Sequence, residues 1–246
     1  MEDRLISRSE SRRAYPHILS GSVLKTIALL CMIVDHIALF VLSQTDVGMH
    51  PLFTVGSVSV SIYWIGRKIG RLAFPIYVFL LSEGYTHSRN RLRYALSLLI
   101  FAFISEIPWN LCHNGTVFLL SSQNVFFTLF LGLLAITFSE RFRAQRRAQD
   151  LILLAFVFVV SYFLKADYGI RGVGFVLLVH LLRERKVEQA LIGSSVYVNN
   201  APAFMVSFLL IHMYNGERGF IRSNVLKYAF YAVYPLHLLI FWFYRR

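Results

Sequence analysis

Long apolar runs separated by short, basic connections set the rhythm of this 246-residue chain. A bilayer core takes roughly 20 apolar residues per straight helix, and such runs recur from residue 22 to residue 244. The pattern predicts about nine spans, bounded at roughly eight and ten. They fall at residues 22–43, 72–87, 94–112, 120–139, 149–165, 169–183, 187–199, 202–214 and 225–244. The sixth, seventh and eighth runs are short, which predicts tilted, re-entrant or enclosed segments. Residues 56–71, GSVSVSIYWIGRKIGR, start apolar and end in three cations, the pattern of an amphipathic interfacial or re-entrant helix. The expected fold class is all-α: a polytopic integral membrane helix bundle forming one domain over 22–246, preceded by a basic segment over 1–21.

Composition agrees, because a chain that is 57% hydrophobic and 15% aromatic has too little polar surface to make a soluble globule. Lys and Arg outnumber Asp and Glu by 25 to 13, a balance that suits anionic headgroups or an anionic substrate. The cations lie between apolar spans and not along one face, which argues against nucleic acid as a partner. They cluster at the N-terminus and in HSRNRLR (87–93), ERFRAQRRAQD (140–150), RERK (183–186) and NGERGFIRSNVLK (215–227). The loops between carry few or none: 44–56, 113–119 and 198–201 have no Lys or Arg, and 165–171 has Lys165 and Arg171. Positive-inside logic then predicts a multi-pass membrane protein with a cytoplasmic N-terminus and a first helix that is retained, not cleaved. The terminal Arg245 and Arg246 break this alternation.

Ionisable side chains inside spans are costly and normally face a bundle interior. In CMIVDHIALF, His36 lies ~18 Å above the inner end of the first helix, counted from Leu24 at 1.5 Å per residue. Glu106 in FAFISEIPWNL reaches about the same height, and His237 in YAVYPLHLLIF comes to ~15 Å. Asp35, His36, Glu106 and His237 are therefore expected to share one layer, with Arg71 further out. Asp35 and His36 stand about 100° apart on their helix, so both face inward only if that helix is enclosed on two sides.

The second run, LAFPIYVFLLSEGYTHSRNR, carries Glu83 at its basic end and continues into His87, Arg89 and Arg93. Guanidinium forks bind phosphates, and Arg89 and Arg93 sit one turn apart. Tyr214, Asn215, Glu217 and Arg218 join them in a basic turn, HMYNGERGF, with room for ligand contact. Gln123 and Asn124 are expected to cap the fourth run or line an outer vestibule. Asp167 is placed to cap the sixth, and the glycines at 169, 172 and 174 permit close helix packing.

Seven motifs in order, LKTIALLCMIVDHIALF, GRLAFPIYVFLLSEGYTHSRNRLRY, FAFISEIPWNL, QNVFFTLFLGLLAI, DYGIRGVG, YNGERG and KYAFYAVYPLHLLI, resemble the TraX family over residues 22–242. The resemblance implies acetylation of a pilin N-terminus at the inner membrane, and kinship with multi-span membrane acyltransferases that use acyl-CoA. It implies acetyl-CoA as donor substrate, no metal or prosthetic group, and His36 as the catalytic residue, acting as general base or as acyl carrier. Asp35 or Glu106 would orient the imidazole, and Arg71 would steady the oxyanion. Glu83, His87, Arg89, Arg93, Tyr214, Asn215 and Arg218 would bind the donor, while Asn110, Asn124 and His237 would line the acceptor site. The implied partners are the lipid bilayer, acyl-CoA, and an acceptor peptide, glycan or small molecule. The competing class is a proton-coupled secondary transporter, for which buried Asp, Glu and His are equally natural.

Overall fold

The computed structural model describes residues 17–246, so most of the basic segment at 1–21 lies outside the described residues. The element order is α1 (Gly21–Phe40), α2 (Asp46–Met49), β1 (Pro51–Val55), β2 (Val58–Ser61), α3 (Ile62–Gly70), α4 (Ala73–His87), α5 (Arg91–Asn114) and α6 (Val125–Gln145). It continues with α7 (Ala148–Leu164), α8 (Gly169–Leu181), α9 (Lys186–Ser195), α10 (Ala201–His212) and α11 (Asn224–Tyr244).

Each of the nine apolar runs contains a helix, and local chemistry sets several of the boundaries. Ser20, Asn90, Asn124 and Ser223 are N-caps whose side chains accept from Val23, Arg93, Phe126 and Leu226 backbone N–H groups. The fourth run accordingly begins its helix at Val125, later than hydropathy places it. Tyr168, not Asp167, is the residue before α8, and its side chain makes no cap; the Asp167 carboxylate instead accepts from the Tyr168 N–H at 3.0 Å.

The structure does not support nine separate crossings. Among the described residues four helices are long and apolar enough to cross a membrane: α1 with its short extension to Gln44, α5, α6 and α11. The α7 and α8 helices have 17 and 13 residues. At 1.5 Å per residue they reach ~25 Å and ~20 Å, short of a hydrocarbon core of ~30 Å. The α9 and α10 segments meet at 113° and together make at most one broken span or a re-entrant loop. Their tip is held by Lys68, whose Nζ donates to Asn199 O at 2.7 Å and Asn200 Oδ1 at 3.1 Å.

The stretch at 56–71 is a second correction, since only Ile62–Gly70 is helical. Val58–Ser61 pairs antiparallel with Pro51–Val55 across a Gly56-Ser57 turn, with Val55 opposite Val58. Gly56 adopts φ +59°, the left-handed geometry of a tight hairpin turn. The alternating VSVS signalled a strand, and the apolar run masked it.

At the opposite, basic end, the NGERG turn closes the bundle beneath α1. Gly21 N donates to Glu217 O at 2.8 Å, Ser22 N to Arg218 O at 3.0 Å, and Asn215 N to Leu19 O at 2.9 Å. The odd C-terminal cation has a local use: Arg245 Nη1 donates to Cys112 O at 2.8 Å, satisfying a carbonyl in the last turn of α5.

Two close approaches shape the interior. Gly172 lies on Thr128, whose methyl would stand 2.7 Å from an added Cβ, whereas Gly169 and Gly174 make no such contact. Between α1 and α3, Gly66 lies against Ala38 and Gly70 against Asp35, where a Cβ would overlap the carboxyl group.

Candidate functional site

Asp35 and His36 both turn inward because α1 is enclosed on two sides. Asp35 faces α3: its Oδ2 accepts from Arg67 Nη1 at 2.7 Å, while Oδ1 is buried without a hydrogen-bond partner. Gly70 is what lets α3 come this close. His36 faces α11, where its Nδ1 lies 2.5 Å from His237 Nε2 and the two rings lie nearly coplanar, edge to edge, with centroids 4.8 Å apart and planes at 9°. Only 7% of His36 is exposed.

Glu106 does not join this pair. Its Oε1 accepts from Asn110 Nδ2 at 3.0 Å, and its Oε2 from Asn124 Nδ2 at 2.7 Å and Asn124 N at 3.3 Å. A carboxylate so placed ties α5 to the start of α6, and neither Glu106 nor Asp35 is hydrogen-bonded to His36. Height along an axis places a residue in a layer; azimuth decides its partner. Replacing Glu106 by Gln is expected to lower thermal stability by roughly 1–3 kcal/mol through lost charge-assisted bonds. The chamber that His36 faces should keep its shape, since Glu106 neither bonds to His36 nor lines it.

His36 opens into a chamber of about 400 Å³ whose wall also includes Asp35, Arg67, Arg71, Asp167 and Tyr168. These form a charged end of the chamber. Arg71 Nη1 donates to Tyr168 OH at 3.5 Å, and Tyr168 stacks on Phe74 at 3.7 Å and 6°. Burial pushes the Asp167 carboxyl up to about 6, against the pull of Arg71 and the Tyr168 N–H. The end sets the carboxyl groups of Asp35 and Asp167 against the guanidinium groups of Arg67 and Arg71. The middle of the chamber is apolar, lined by Leu29, Met32, Leu98 and Leu129.

A second cavity of about 460 Å³ lies at the basic end and shares Lys25, Leu80, Tyr94 and Tyr231 with the first. Its wall includes Glu83, His87, Arg93, Tyr214 and Arg218, five of the seven residues expected around a donor, together with Lys227. Arg89 is not part of that wall, and the Asn215 side chain accepts from Glu217 N at 2.9 Å within its own turn. Of the residues expected to line the acceptor site, Asn110 and Asn124 serve Glu106, and His237 lies behind His36; none lines the chamber.

Lys25 is the residue that sequence reasoning missed at this end. It stands at the shared neck with Lys227 and Arg218 as its charged neighbours, and no carboxylate pairs with it among the described residues. A lone lysine at the start of a span reads as positive-inside topology, so only the surrounding cavities single it out. Arg67 was similarly hidden among the three cations that end GSVSVSIYWIGRKIGR.

Comparison with known proteins agrees with the motif pattern along the chain. The family model described as TraX protein matches residues 20–245. A relative from Dichelobacter nodosus, named probable fimbrial assembly protein FimC, serogroup H1, is 32% identical over 249 residues, covering 90% of this chain and 93% of the relative. No solved structure matches the chain. With the family pattern running through nearly every element that builds the two cavities, the chain belongs to the TraX family.

Proposed function

We propose that this protein is a membrane-embedded acetyltransferase. It moves an acetyl group from cytoplasmic acetyl-CoA to an amine or hydroxyl, with the N-terminus of a pilin-like peptide as the favoured acceptor and a cell-surface molecule as the other. The observation that carries the reading is His36 in a half-apolar chamber whose far end joins a basic vestibule. Family membership and the fimbrial assembly relative support the choice of acceptor.

In this reading the basic end faces the cytoplasm, as the positive-inside rule demands, and the donor's phosphates settle among Lys25, Arg93, Arg218 and Lys227. Its thioester arm passes the neck formed by Lys25, Tyr94 and Tyr231 and reaches His36 through the apolar middle. An α-amine, with an ordinary pKa of ~7.7–8.0, is partly neutral at cellular pH and is a competent nucleophile. His36 Nε2 takes a proton from the amine or hydroxyl as it attacks the thioester carbonyl. The C–S bond then breaks, and the same proton passes from His36 to the departing thiolate, leaving an amide or ester and a free thiol. Arg71, which has no ion-pair partner among the described residues, meets the charge developing on the carbonyl oxygen. Arg67 is committed to Asp35.

The test is transfer of labelled acetyl from acetyl-CoA by purified protein to peptides with a free α-amine and to hydroxyl acceptors. Failure with every acceptor, together with ion-driven solute uptake in vesicles, would replace this reading with transport. Lys25→Met is expected to raise the KM for acetyl-CoA about 10- to 100-fold, the effect of losing a charge-assisted contact worth ~1.5–3 kcal/mol, while leaving kcat within a few-fold. A kcat loss at unchanged KM would remove Lys25 from the donor site.

A further inference from the structure

His36 uses its Nδ1 differently from three other histidines of the bundle. His87, His113 and His237 each place Nδ1 on the carbonyl four residues back in their own helix, at 3.0, 3.1 and 2.8 Å. His36 instead sends Nδ1 across to α11, where it meets His237 Nε2. Among the described residues no carboxylate or hydroxyl is hydrogen-bonded to either ring of this pair.

That chain of contacts has only one consistent direction for two neutral rings. The Val233 carbonyl is an acceptor and nothing else, so His237 Nδ1 carries the proton. A neutral imidazole has one N–H, which leaves His237 Nε2 bare and able only to accept. His36 Nδ1 must then donate to it, and His36 Nε2 is left as a lone pair. Among the described residues that Nε2 has no hydrogen-bond partner, and His36 is the member of the pair that lines the chamber.

We propose that His237 is a positioning residue that locks His36 in its Nδ1-protonated tautomer, so that Nε2 is presented to the acceptor as the base. The backbone carbonyl of Val233 thus takes the part that a carboxylate plays in other histidine sites, orienting the ring through an intermediate imidazole. The catalytic meaning of the lock rests on the acetyltransferase reading above; the lock itself does not. His237 also shares the positive charge that His36 gains during transfer, since its Nε2 accepts from the cationic ring.

The experiment reads the tautomer directly, by ¹⁵N NMR of the full-length, histidine-labelled protein without donor or acceptor, with the His36 signals assigned through His36→Gln. In the wild type, His36 Nδ1 is expected at the shift of a protonated ring nitrogen and Nε2 at that of a bare one. His237→Leu removes the acceptor, and His36 should shift toward the Nε2-protonated form. With acetyl-CoA and a peptide amine, kcat should fall at least roughly tenfold at unchanged KM for the donor, since tautomer control in comparable sites carries effects of that size or more. His237→Gln, which offers a carbonyl oxygen near the lost nitrogen, should restore both the tautomer and most of kcat.

A protonated Nε2 in the wild type, or an unchanged His36 tautomer in His237→Leu, overturns the proposal. If His237→Leu does not fold, the wild-type and His237→Gln spectra decide it: Gln must preserve the bare Nε2. A confirmed tautomer with no acetyl transfer to any acceptor would sink the enzymatic reading and leave the lock standing, so the two failures are distinguishable.

Discussion

His36→Ala is expected to lower the kcat for acetyl transfer by ~10²- to 10⁴-fold, the range associated with loss of a positioned general base. The ring is buried, but what it chiefly gives the fold is one hydrogen bond and its contacts with Phe40 and Tyr234, so the protein should still fold and melt cooperatively without it. The vestibule that includes Lys25, Arg93 and Arg218 does not contain His36, so affinity for CoA should hold within a few-fold. The measurement is therefore paired: acetyl transfer and CoA binding on the same preparation. A loss of binding that matched the loss of rate would mean that His36 shapes the donor site. Retention of full rate would remove it from the chemistry.

Arg67→Ala is expected to be the most destabilising single change near the site, by ~3–5 kcal/mol, because it strands a carboxylate inside the bundle. The Asp35 side chain is 14% exposed and Arg67 is 21% exposed, so water in the chamber screens the pair only in part. Asp35 Oδ1 already has no partner, and the carboxyl group is packed directly against Gly70 of α3. Thermal or denaturant unfolding in detergent checks the size of the effect. The double variant Asp35→Asn with Arg67→Ala should recover much of the loss, since a neutral amide costs far less to bury than an unpaired charge. Equal stability of the wild type and Arg67→Ala would show that the pair does not hold α3 on α1.

Much of the helical framework was legible from periodicity and hydropathy because those signals are local. Each of the nine apolar runs holds a helix, and caps such as Asn90, Asn124 and Ser223 mark starts that hydropathy placed only to within a few residues. Crossing the membrane is a different property, set by length and direction. The 13 residues of α8 and the 113° bend between α9 and α10 show why counting runs overstates the spans. The hairpin was missed because VSVS is both apolar enough for an interfacial segment and alternating enough for a strand, and its pairing with Pro51–Val55 is not visible in either signal.

Within the site, the sequence by itself determined which residue types lie deep in the bundle: Asp35, His36, Glu106 and His237 are ionisable groups in apolar runs, and that alone marks them as enclosed. It also determined the basic character of one end, since the clusters around Arg93 and Arg218 are plain in the chain. Only the tertiary structure decided the partnerships. It paired Asp35 with Arg67, His36 with His237 and Glu106 with Asn110 and Asn124. It also set Lys25 at the neck between two cavities. The reason is geometric: the rise per residue fixes depth within one helix, while the partner of a side chain depends on the rotation and packing of helices far apart in the chain, which no local pattern records.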